Sequence, residues 1–191
     1  MLVKNLVYVA VTGLVLTAAG GLTPAAAQQR NSVASDSLFI LKTGSAGLLQ
    51  VKLGKLAEKK GSSPAVVGFG KRMVAQYSKI NDELKTAAKN AAFPAPVLIR
   101  EDQQTFERFN RMGRSSFDKA YMSQMVKQQS EEQRLLEDQS AGGRVQSLKQ
   151  LAARMLPELQ QRLTVARETA GSVGVDVTAS TSQARQASTT Y

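Results

Sequence analysis

LLQVKLGKLAEKKGSSPAVVGFGKRMVAQYSKINDEL, residues 48–84, holds the end of one amphipathic helix, a tight turn and most of a second helix. In the second helix Val66, Phe69, Met73, Tyr77, Ile80, Leu84, Ala87 and Ala91 recur at spacings of three and four, which lines them along one face. The turn is marked by residue type. Gly61 suits a left-handed helix terminus, Ser63 is a candidate cap, and Pro64 sits where a missing N–H costs nothing. The spacing predicts an antiparallel helical hairpin with its second helix over residues 64–90, ended by Phe93-Pro94-Ala95-Pro96, which cannot continue a hydrogen-bonded helix.

Outward from the hairpin, the same periodicity returns. A first helix is expected from Ser35 or Asp36, either of which can cap it, to Lys60, with Leu38, Leu41, Leu49, Leu53 and Leu56 inward. Gly44, Ser45, Ala46 and Gly47 weaken its middle, which predicts either a break or an unusually close neighbour. A short helix over 100–112 carries Phe106, Phe109 and Met112. A third long helix, capped by Ser115 or Ser116, runs to about Ser140 with Phe117, Tyr121, Met125, Gln128, Glu132 and Leu135 at core spacing. A fourth runs from Arg144 to about Ala170, with Val145, Leu148, Ala152, Met155, Leu159, Leu163 and Ala166 inward and Pro157 as a kink. Four long helices and one elaborated connection describe an all-α antiparallel four-helix bundle with an extra short helix between the second and third long helices.

The ends have a different composition. Residues 1–27 combine Lys4, an apolar run and the small residues Ala25, Ala26 and Ala27, the pattern of a cleaved export signal. Residues 28–34 are expected as a flexible segment, 35–171 as the bundle, and 172–191, rich in Ser, Thr, Ala and Gly, as a disordered tail. The leader is expected to touch a membrane only transiently, with the remainder exported to the periplasm or outer envelope.

Charge and missing residue types narrow the chemistry. The chain carries +10; Lys4 is the one charge in the leader, which leaves +9 for the rest. Such a balance suits an anionic surface, or simply keeps an exported protein soluble. No aromatic platform for bases accompanies it, so no nucleic-acid partner is expected. His and Cys are absent, which removes imidazole and thiol chemistry and the commonest general acid and base. No nucleophile motif or phosphate loop is present, and an enzyme is not expected.

The segments LGKLAEKKGSSPAVVGFGKRMV, INDEL, SSFDKAYMSQMV and LAARMLPELQQRL resemble the ferritin-like family catalogued as domain of unknown function 4142, over roughly residues 36–170. The resemblance implies a ferritin-like bundle in an exported bacterial protein, of a kind often labelled a putative outer-membrane protein. It also implies His at the positions of Tyr77, Gln129 and Arg162 and an acidic residue near Gln50 or Lys52, all of which this chain replaces. A vestigial, metal-free site at Tyr77, Gln129 and Arg162 is therefore expected, with Arg162 reaching solvent or pairing with Glu131 or Glu132.

Polar residues at or beside the seam, namely Gln50, Tyr77, Asn81, Gln128, Gln129, Glu131 and Glu132, are candidates for a buried layer. Glu131 and Glu132 with Asp82 or Glu83 would form an all-oxygen cation site, against the alternative of a hydrogen-bonded layer that fixes register. Lys52, Lys55, Lys59 and Lys60 form a basic run that either grips an anionic surface or is a solvated face. The function expected is non-enzymatic binding of an envelope partner or anionic surface, without a cofactor; the alternative is a metal-dependent redox or storage protein by ferritin-like analogy, disfavoured by the absence of His. Metal content of the purified chain separates the two.

Overall fold

A computed structural model describes residues 24–177, with side chains from Ser35 onward. It contains five α-helices, α1 (Pro24–Lys60), α2 (Pro64–Asn90), α3 (Arg100–Arg111), α4 (Arg114–Gly142) and α5 (Gln146–Ser172), and no strand among the described residues. Most of the expected leader, residues 1–23, and tail residues 178–191 lie outside the described part.

Helix α2 has the bounds its sequence predicts, with Pro64 in the first turn. Its stripe is buried from Val66 to Leu84, after which Ala88 rather than Ala87 or Ala91 takes the inner position. Helix α1 departs from expectation at its start. It begins at Pro24, so residues 28–34 are helical instead of a flexible segment, consistent with the good helix formers in PAAAQQR. Neither Ser35 nor Asp36 starts it.

The inward face of early α1 is also shifted. Phe39 and Ile40 are buried, whereas Leu38 and Leu41 are 49% and 40% exposed. The Gly44–Gly47 segment does not break the helix; it is where neighbours come close. A Cβ on Gly44 would collide with Pro96, and one on Gly47 with Asn81. Farther along, a Cβ on Gly54 would lie 2.8 Å from the Gly70 carbonyl oxygen. Pairs 44–84, 47–81 and 54–70 run in opposite chain directions, so α1 and α2 are antiparallel.

Helix α1 also packs on α4 and α3, and α5 packs on α4 and α2. Core residues come from all five helices, including Leu49 and Leu53, Met73, Phe109, Met125 and Leu159. On α4 it is Leu136 that is fully buried, while the expected Leu135 is only half-buried. Near the α1–α2 turn Phe117 stacks on Tyr121 with centroids 5.6 Å apart, and Phe109 and Phe69 meet this pair edge-on.

Helix ends are closed by residues remote in sequence. Ser63 makes no side-chain cap; the Asp118 carboxylate accepts from the Ser62 and Ser63 N–H groups, the latter at 2.7 Å. Gly113, with Ser115 and Ser116 already inside the helix, occupies the cap of α4. Asp36 is fully buried and accepts from the Arg144 and Val145 N–H groups at the start of α5, and from Gln139 Nε2 at 2.6 Å. Helix α5 continues through Pro157 to Ser172. Residues 172–177, expected as part of a disordered tail, turn back at Gly174 (φ 74°): the Val175 N–H donates to the Ala170 carbonyl, and Val173, Val175 and Val177 pack partly buried on the core.

Candidate functional site

Three helices place their polar residues in one layer because each lies on an apolar stripe. Tyr77 follows Met73 by one turn on α2, Gln129 and Glu132 are three apart on α4, and Arg162 follows Leu159 by three on α5. Tyr77 and Gln129 are fully buried, Glu132 is 2% and Arg162 5% exposed. The Tyr77 hydroxyl donates to Glu132 Oε2 at 2.5 Å. Gln129 Nε2 lies 3.3 Å from Met73 Sδ, and the Arg162 guanidinium carbon is 5.3 Å from the centre of the Tyr77 ring. The three positions singled out in the sequence thus share one region with Glu132, and Gln50, opposite on α1, is likewise fully buried.

Burial dominates the electrostatics. It raises the Glu132 carboxyl above the usual glutamate range, a shift opposed by the Tyr77 hydrogen bond and the Arg162 charge. It also raises the Tyr77 phenol well above its ordinary value, helped by Glu132 and opposed by Arg162. The phenol therefore stays protonated near neutral pH. Arg162 does not reach solvent, and its direct carboxylate contact is Glu158 on its own helix, Nη1 to Oε2 at 3.6 Å, rather than Glu131 or Glu132. Glu131 turns outward to Lys127 at 4.0 Å, since neighbouring helical residues diverge by about a hundred degrees. Asp82 and Glu83 are exposed.

The donor set does not fit a metal site. One inward carboxylate, a phenol, neutral amides and a buried guanidinium present more hydrogen-bond donors and positive charge than a cation tolerates. No group of three or more acidic, His or Cys residues that could hold a metal occurs among the described residues. Several buried polar atoms in or near the layer lack hydrogen-bond partners: both amide atoms of Gln50, Asn81 Oδ1, Gln128 Oε1, Gln129 Oε1, Glu132 Oε1, and Arg162 Nε and Nη2.

A family model described as Domain of unknown function (DUF4142) matches residues 21–169. The chain belongs to that family. No curated protein and no solved structure matches it. In this DUF4142 chain the basic run of α1 is divided. Lys60 Nζ donates to the carbonyls of Phe109 (3.3 Å), Asn110 (2.6 Å) and Met112 (2.9 Å), closing the end of α3, and Lys52 lies 4.7 Å over the Phe106 ring. Lys60 is partly buried in this contact, whereas Lys52, Lys55 and Lys59 are exposed. The capping role of Lys60 had no signal in sequence, because its acceptors lie 49 to 52 residues away.

Proposed function

We propose that this DUF4142 protein is an exported, non-enzymatic helical bundle that binds an anionic surface of the cell envelope through basic side chains of its α1–α2 hairpin. The observation that supports it most is the distribution of charge. Lys55, Lys59, Lys71, Arg72 and Lys79 are all exposed in a chain of net charge +10, and no helix among the described residues is long and apolar enough to cross a membrane. The finer architecture we infer is a ferritin-like antiparallel four-helix bundle. Packing of α1 on α2 and α4, and of α5 on α4 and α2, supports it, as does α3 lying along α1. Export proceeds with cleavage after Ala27, so the periplasmic or outer-envelope form starts at Gln28, an outcome N-terminal sequencing checks.

Surface binding is tested by co-sedimenting the full chain with phosphatidylglycerol vesicles and, separately, with phosphatidylcholine vesicles. Binding to the anionic vesicles alone is expected, with loss at high salt. Lys55→Glu with Lys59→Glu should weaken it about tenfold or more, at about 1 kcal/mol per charge near such a surface. Equal binding to both vesicles, or none to either, refutes the reading.

A further inference from the structure

The large hydrophobic side chains left exposed among the described residues, Leu38, Leu41 and Val97, all lie at the open end of the α1–α2 hairpin, away from the Gly61–Ser63 turn. A groove of about 260 Å³ opens here, lined by Ile40 and Leu41 of α1 and by Phe93, Pro94, Pro96 and Val97 of the connection to α3, with Ser37 as its one polar side chain. The connection is fastened to α1. Pro96 fills the room that Gly44 leaves, and the Ile99 N–H donates to Ser45 Oγ at 2.9 Å. The groove is therefore built into the fold. Leu41 precedes Lys55 and Lys59 by 14 and 18 residues, close to four and five helical turns, so the three project from one outer face of the unbroken α1. Lys42, one turn after Leu38, is exposed, as are Lys89, four residues before Phe93, and Arg100, three after Val97; Glu101 is the exposed acid beside them.

We infer that this end of the hairpin enters the acyl-chain region of an anionic phospholipid bilayer, with Leu38, Leu41 and Val97 below the headgroups and Lys55 and Lys59 among the phosphates. The inference rests on the proposed binding to an anionic surface and names its seat and depth. An apolar tip bordered in sequence by cations fits that boundary, because aliphatic side chains leave water for hydrocarbon while ammonium groups meet phosphates. One face of α1 carries both kinds of residue. Binding by charge alone gives no reason for exposed aliphatic side chains and an apolar groove at the end of that face, whereas insertion uses them. Few side chains enter, so attachment still depends on anionic headgroups.

The chain has no Cys, so a single introduced thiol carries a polarity-sensitive fluorophore without ambiguity. Val97→Cys places it in the groove, and Gln160→Cys, exposed on α5 across the bundle from α1, is the control. With phosphatidylglycerol vesicles, the Val97 label should shift to the blue and be quenched by lipids brominated in their acyl chains, while the Gln160 label does neither. In the unlabelled chain Leu38→Gln with Leu41→Gln leaves the charge unchanged and should weaken co-sedimentation at least about tenfold, the loss expected for two aliphatic side chains returned to water. Should Val97→Cys fail to fold by circular dichroism, exposed Ala95→Cys in the same groove takes its place; if the double Gln variant fails, the label decides. Co-sedimentation with no shift or quenching of the groove label, equal quenching at Gln160, or a folded double Gln variant that binds like the natural chain overturns insertion and leaves binding by charge alone. A groove label that responds to protein concentration without vesicles assigns the patch to a second copy and also overturns it. Absence of co-sedimentation overturns both readings.

Discussion

Arg162 stands on the apolar stripe of α5 between Leu159 and Leu163, and that position compels it inward. A charge so placed makes its neighbours sensitive to protonation. The Glu132 carboxyl is raised in the folded state above its ordinary 4.5, so its contribution to stability is fully present below that value and is lost as pH rises through the higher folded value. Glu132→Gln keeps an acceptor for Tyr77 but cannot titrate. Its melting temperature relative to the natural chain should therefore climb as pH is raised from about 4 to about 7; a gap independent of pH contradicts the assignment. Met73→Asp places a lone carboxylate in the middle of the α2 stripe and should unfold the domain or cost several kcal/mol. Lys60 reads as a solvent-facing lysine in sequence, yet Lys60→Asp sets a carboxylate against three carbonyls. A loss of about 1–2 kcal/mol is expected in denaturant melts, smaller than for Met73→Asp. A melt indistinguishable from the natural chain would remove Lys60 from the α3 terminus.

Close contact between α1 and α2 depends on glycine as a small residue, and this separates two substitutions that sequence cannot rank. Gly54→Ala brings a Cβ within 2.8 Å of the Gly70 carbonyl oxygen, whereas a Cβ on Gly68 meets only the mobile end of Arg72 at 3.8 Å. Helix propensity gains about 1 kcal/mol in either variant. At Gly54 overpacking of about 1–3 kcal/mol exceeds it. Chemical denaturation should show Gly54→Ala less stable than the natural chain and Gly68→Ala more stable; the reverse order would mean the helices are not in contact there. The bounds of α2 were legible because Pro64 and the Phe93–Pro96 segment act locally. Early α1 was not. With glycines at 44 and 47 the stripe loses its phase, and leucine identity pointed to Leu38 and Leu41 where Phe39 and Ile40 are buried. The layer of Tyr77, Gln129 and Arg162 was legible as three positions, but Glu158 as the contact of Arg162 was not, since an i,i+4 pair is equally at home on a solvated face.

For the molecule as a whole, the all-helical class and the hairpin follow from periodicity, while the closing of helix ends does not, because Asp36, Lys60 and Asp118 serve segments about fifty to a hundred residues away. Asp36→Ala leaves the Arg144 and Val145 N–H groups and the Gln139 amide without their acceptor, and should cost about 1–2 kcal/mol although Asp36 lies on a different helix. An unchanged thermal melt would deny that role. A helix capped by its own flanking residues can fray and re-form alone. Here the start of α5 is finished only when α1 is docked, and the start of α2 only when α4 is in place. Amides at Ser63, Arg144 and Val145, which at most helix ends exchange with solvent through local opening, are here held by carboxylates of other helices, and are expected to exchange more slowly than the amides of a helix end capped by its own flank.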